Sequence, residues 1–164
     1  MAFTPAENTL IGQLIADTST TQKHALGTII RAKDPTLGAA EFIYLKGVAS
    51  TVVGSIVNYD DDFQTALDTS AVAGPSRPLA VSMSANVASQ YGWYQISGLA
   101  VAVKANTVSF ADGAGLGAAA GLAVAVATGT VIQSAVVRAV ASAKSDVTSV
   151  KIAISRPHDP SDVS

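Results

Sequence analysis

From Ala25 onward a period of two dominates the placing of apolar side chains, the spacing of strands that bury one face. The pattern predicts strands at residues 25–33, 41–48, 52–59, 79–86, 92–104, 118–127, 131–142 and 147–155. Val150, Ile152 and Ile154 alternate with Lys151, Ala153 and Ser155, as a half-buried strand requires. Leu122, Val124 and Val126 alternate with Ala123 and Ala125. That large/small alternation predicts a strand packed on both faces, its small side admitting a close neighbour. An Ala-rich helix from Ala114 to Ala127 is the alternative that propensity favours. The glycines in and beside this stretch weigh against it.

Turn-forming residues separate these runs: Asp34-Pro35, Asn58 to Asp62, Gly74-Pro75 with Arg77-Pro78, Asp112-Gly113, and Lys144-Ser145-Asp146. Eight strands with frequent turns predict an all-β fold. The expected form is an antiparallel β-sandwich, jelly-roll-like, or else a small barrel. One β domain should span residues 24–157. Residues 158–164, with a second proline at Pro160, are expected to form a polar tail outside the sheet.

Residues 1–23 follow another rule. Thr4-Pro5-Ala6-Glu7 has the form of a helix start, with a Thr cap, Pro at the first helical position and Glu closing a capping box. Leu10, Ile11, Leu14 and Ile15 would then share one helical face. An isolated short helix is marginal in water, so this segment needs a surface to dock on. The alternative is an extended arm packed on a neighbouring subunit. In either form Phe3, Leu10, Ile11, Leu14 and Ile15 are candidate partner-binding residues.

Composition narrows the function classes. A chain of 164 residues can bury a core without staples, and it has no cysteine for a disulfide, a thiolate nucleophile or Cys-ligated zinc. Net charge is −2 and the pI is about 5.5, so no nucleic-acid partner is expected. Charged residues make up 13% of the chain, against about 25% in an average domain. A surface so poor in charge is weakly protected against association, which favours assembly with copies of itself or with a partner. The uncharged run from Gly113 to Val137 exceeds the ~20 residues that cross a bilayer. Its glycines and its alanine content point to buried strands, and no membrane partner is expected. Met1 to Ala16 lacks a basic region and carries Glu7, unlike a secretory signal.

Catalytic patterns are weak. His24 and His158 stand near opposite ends, and no Gly-x-Ser-x-Gly elbow accompanies them. The only glutamates are Glu7 and Glu41. Asp60-Asp61-Asp62 offers hard oxygen ligands but lacks the spacing of a calcium loop, and reads as a solvated turn. Gly113-Ala114-Gly115-Leu116-Gly117 lacks the spacing of a nucleotide-binding glycine loop. Neither an enzyme activity, a cofactor nor a metal is expected.

Gln90-Tyr91-Gly92-Trp93-Tyr94-Gln95-Ile96-Ser97-Gly98 holds the only tryptophan and two of the four tyrosines. Adjacent strand residues point to opposite faces. If one face is exposed, only one of Trp93 and Tyr94 can be core. Trp93 is assigned to the core, and Tyr94, with Tyr91, to a partner-contacting surface.

This segment resembles the capsid decoration, or cement, proteins of tailed bacteriophages. The likeness extends to Gly27-Thr28-Ile29-Ile30-Arg31-Ala32-Lys33-Asp34 and to Ala40-Glu41-Phe42-Ile43-Tyr44-Leu45-Lys46-Gly47-Val48-Ala49-Ser50. It covers most of the chain from about His24 onward. The resemblance implies a structural virion protein, made in the host cytoplasm, on the outer face of an icosahedral capsid. It would bridge major capsid subunits and associate with itself as a dimer or trimer. Tyr91–Ile96 and Glu41–Leu45 would be central strands. A carbohydrate- or receptor-binding β module of a tail or adhesin is the alternative.

Overall fold

The computed structural model describes residues 4–5, 12–47, 51–69, 76–106, 108–126, 131–138 and 148–158, and these form an antiparallel all-β fold. In chain order the strands are β1 (Thr4–Pro5), β2 (Ile29–Asp34), β3 (Gly38–Lys46), β4 (Ile56–Tyr59), β5 (Thr65–Leu67) and β6 (Leu79–Ser82). The long β7 (Tyr91–Val103) follows, then β8 (Gly117–Ala119), β9 (Leu122–Val124), β10 (Gln133–Val137) and β11 (Ser149–His158). Nine of them make one sheet, ordered β1-β2-β3-β7-β6-β4-β5, with β11 joined to β7 and β10 to β11. Strands β8 and β9 form a separate hairpin, tied to the end of β7 by a bridge between Ala123 and Lys104. The antiparallel all-β expectation holds, and the sheet does not close into a barrel.

Strand β7 organises the molecule. Ser97 pairs with Glu41 of β3 on one edge and with Ser155 of β11 on the other. Between the pairs Phe42–Gln95 and Glu41–Ser97, Ile96 is an extra residue, so the strand bulges. Gly98 follows with a φ of +98°, and a Cβ there would lie 2.6 Å from the Ala39 carbonyl oxygen. Only glycine fits such a bend without strain. The bulge exchanges the faces of odd and even residues. Before it Tyr94 and Ile96 share one face and Trp93 the other; after it Ala100 and Ala102 are buried while Leu99 and Val101 turn outward.

Three buried clusters result. Ile56, Leu79 and Val81 pack against Ala100, Ala102 and the inward side of β11, so the second half of β7 with β10 and β11 forms a second layer over β4 and β6. A strand that turns a corner between layers is a common way to build such packing. Phe42, Tyr44 and Trp93 are capped by Ile15, Leu26 and Ile30. On the opposite face, Ile43, Leu45, Tyr94 and Ile96 meet Val57, Ala80 and the curled β4–β5 segment. That curl brings Phe63 back to β3, where its carbonyl accepts the Lys46 N–H at 3.0 Å.

Packing outweighs surface charge in holding this together. Each fully buried large apolar side chain contributes about 1.5–3 kcal/mol. Glu41 pairs with Arg31 at 3.0 Å and with Arg156 at 3.4 Å, but both arginines are largely exposed. Such pairs are worth about 0–1 kcal/mol.

Several expectations change. Among the described residues there is no helix, and Thr4-Pro5 pairs with Lys33 and Ala32 at the sheet edge instead of opening one. Proline is tolerated there because an edge residue can lack a ladder N–H. Phe3, Leu10 and Ile11 lie outside the described residues. The strand expected at 118–127 is a hairpin, turned at Ala120 and Gly121, both with positive φ. Its alanines Ala118 and Ala123 face the core, the close approach expected of the small side, while Leu122 and Val124 are half-exposed, so the larger side is not packed as expected. Close approach by the neighbouring layer favours the smaller side chains. Strand β11 continues through Pro157 to His158, beyond the end at residue 155 that the alternation predicts, and the rest of the expected tail lies outside the described residues. Opposite it, Ser134 and Arg156 both adopt positive φ where the β10–β11 register breaks, and the broken ladder needs no proline N–H.

Candidate functional site

The aromatic motif converges with residues 12–24 on one face of β3 and β7. Tyr44 and Trp93 are direct cross-strand partners, with ring centroids 5.0 Å apart and edge-on. The His24 ring lies 5.1 Å from each, and Tyr91 stacks on Tyr44 at 6.4 Å. Contacts of this geometry add to simple burial. Gln13 fastens the cover. Its Nε2 donates to the carbonyls of Tyr91 and Asp17, each at 2.8 Å, and its Oε1 accepts the Tyr44 hydroxyl at 2.7 Å. Its backbone carbonyl accepts the Trp93 indole N–H at 3.1 Å. Burial raises the Tyr44 phenol above its ordinary value, against the opposing effect of its bond from the Lys23 N–H.

Leu14 and Ile15, expected on one helical face, separate at a turn: Ile15 is buried and Leu14 is 67% exposed. Of the two, only Leu14 presents a side chain outward. Tyr91 is half-buried.

Tyr94 corrects the surface assignment, because it is as fully buried as Trp93. The premise of one exposed sheet face fails here, since the β4–β5 curl covers the side opposite residues 12–24. The Tyr94 hydroxyl accepts an N–H from Asn86 at 3.0 Å and also bonds Thr65. Burial again raises the phenol, partly offset by those two bonds. Asn86 fits only because Gly47 and Gly92 lack side chains: Cβ atoms there would lie 2.5 and 2.3 Å from Asn86 atoms. Its carbonyl accepts the Thr51 hydroxyl, joining loop 51–55 to loop 83–90. Those two loops carry Val52, Val53 and Val87, each close to half-exposed.

The other candidates are dispersed. His158 Nδ1 lies 3.3 Å from Ser76 Oγ at the surface, far in sequence from His24. Asp60 Oδ1 accepts the N–H groups of Asp62 and Gln64, which makes it a turn cap, and no cluster of metal-ligating residues occurs among those described. Lys104 is buried, and its ammonium donates to the Val108 carbonyl at 2.9 Å, bracing its own loop. A cavity of about 10 Å³ beneath β6 and β11 is lined by apolar residues such as Leu79, Leu116 and Ile152. It barely holds one water and offers that water no polar partner.

The aromatic cluster is therefore packed inside, with Tyr91 half-buried at its edge, and the outward surfaces of the described residues are sheet faces and loops. Sequence reasoning missed Gln13 and Asn86. Single glycines inside strand patterns, Gly47 and Gly92, were the available signal that another group approaches closely. Comparison with protein-family models, curated proteins and solved structures finds no match to this chain.

Proposed function

We propose that this is a structural virion protein that decorates the outer face of a phage capsid and bridges its major subunits, without chemistry of its own. One observation carries the reading. The three separate segments that resemble decoration proteins fall on β2, β3 and β7, which are consecutive neighbours in the sheet. A likeness spread along the chain thus corresponds to one contiguous structural unit. Low charge and exposed Leu14, Val52, Val53 and Val87 add surface suited to contact. The sugar-binding alternative wants an exposed aromatic platform, whereas the described aromatic residues are buried or half-buried.

Many modest contacts repeated over a shell reinforce it through multivalency, and binding only the assembled lattice stabilises that state. The test removes the protein from intact particles, measures shell rupture temperature, and adds it back, with mass spectrometry counting copies. A high copy number and a restored rupture temperature are expected. An unchanged rupture temperature would overturn the cementing role.

A further inference from the structure

The outward side of the second layer gathers charges that are scattered in sequence. Pairing sets Leu99 of β7 beside Ala153 of β11, and Ala153 beside Val136 of β10. These side chains are half-buried, whereas Ala100, Ile152 and Ile154 on the reverse side are buried. This small apolar strip is flanked by cations. On one flank Val101 pairs with Lys151, and the Arg138 N–H donates to the Lys151 carbonyl at 2.8 Å, making those two cations cross-strand neighbours. On the other flank stand Arg31, Lys33 and Arg156 around Glu41.

Five of the ten basic residues thus share this face, with Glu41 the one carboxylate at the described outward strand positions. At the described strand positions this face carries five positive charges and one negative, a net of four, in a chain whose total is −2. Glu41 is already engaged by both arginines. Among the described residues neither Arg138 nor Lys151 forms a salt bridge. Like charges directly opposite on a sheet destabilise it. Their juxtaposition is a cost to the isolated domain that an anionic partner would remove.

We infer that this face docks on an acidic protein surface with an apolar centre. Resting on the decoration reading, the inference assigns that surface to the major capsid subunit. A protein partner fits better than nucleic acid, because the cations are divided by an apolar strip instead of forming a continuous track. Complementary charge of this kind governs encounter rate and register, so binding should weaken with salt.

The experiment re-binds the protein to stripped shells over a salt series, comparing wild type, Arg138→Ser/Lys151→Ser, and a control, Lys23→Ser/Lys46→Ser, with equal loss of charge. The first variant should melt no lower than wild type, yet bind roughly tenfold or more weakly with a shallower salt dependence. The control should bind as wild type does. A zero-length carbodiimide should couple Lys151 to a shell carboxylate. Equal binding by wild type and Arg138→Ser/Lys151→Ser, or equal weakening of both variants, overturns the docking face and leaves the decoration reading intact. Displacement by duplex DNA would assign the face to nucleic acid. Failure of wild type itself to bind overturns the decoration reading and this inference with it.

Discussion

Trp93 and Tyr94 are consecutive on β7, point to opposite faces of the sheet, and are both fully buried. Two covers make this possible: residues 12–26 over Trp93, and the β4–β5 curl over Tyr94. Downstream, the bulge at Ile96 and the bend at Gly98 turn β7 from this doubly covered region into a layer with an open outer face.

Gly98→Ala should therefore be among the most damaging single-methyl additions. The new Cβ would meet the Ala39 carbonyl oxygen at 2.6 Å and the Ala40 Cα at 3.1 Å, at a φ that L residues rarely adopt. Backbone strain of this kind costs about 1–3 kcal/mol before the clash is counted. Denaturant unfolding should show a lower midpoint with an unchanged slope. A loss below ~0.5 kcal/mol, the range of neutral surface changes, would mean that β7 does not turn here.

Residues 12–24 should matter to folding as well as to any partner. Gln13→Ala removes the acceptor of the Tyr44 hydroxyl proton, leaving that buried donor unpaired, and one of two donors to the Tyr91 carbonyl, which keeps the Ser19 N–H. An unpaired buried donor of this kind costs about 1–3 kcal/mol. Deleting residues 1–23 would also uncover Trp93. Red-shifted tryptophan fluorescence and a lowered melting temperature are expected for both changes. A truncated protein with native emission and stability would restore the free-arm picture.

The strand alternation from Ala25 onward was legible because a period of two survives wherever one face is buried. Strand β3 shows it, with Phe42 and Tyr44 against Ile43 and Leu45, although there both sets are buried. Non-local events hid the rest. Nothing in Thr65-Ala66-Leu67 announces β5, which forms because Phe63 docks back on Lys46. Thr4-Pro5 carries a sound helix-start signal, yet strand pairing with β2 prevails. The cationic flanks were invisible because Arg31, Arg138, Lys151 and Arg156 meet only through register.

Asn86 and Gly92 should be energetically coupled. A methyl at Gly92 would sit 2.3 Å from Asn86 Nδ2 and 2.9 Å from Ser84 Oγ, so Gly92→Ala alone should destabilise clearly. Asn86→Ala alone loses the bond to Tyr94 and leaves space between Gly47 and Gly92. In the double variant the new methyl occupies part of that space. Its cost should fall short of the sum of the single costs by about 0.5–3 kcal/mol, the range for contacting residues. Strict additivity in a double-mutant cycle would show that the two side chains do not meet.

Alkaline pH should unfold the protein through its desolvated phenols. Tyr44, Tyr59 and Tyr94 are each raised by desolvation, Tyr59 against the opposing pull of Arg156. A raised folded value means that the native state keeps protons where the unfolded chain, titrating near pH ~10, has released them. Stability from these groups is thus complete below that pH and declines as pH rises through the folded values. Following phenolate absorbance alongside circular dichroism, the late-titrating phenols should ionise together with loss of the β signal. Tyr94→Phe should lessen this decline, since it removes an ionisable group from the core, while costing some stability at neutral pH through the Asn86 and Thr65 partners it abandons. Ionisation of Tyr44 and Tyr94 near pH ~10 with the β signal intact would mean that water reaches them, and that the two covers over β7 are open in solution.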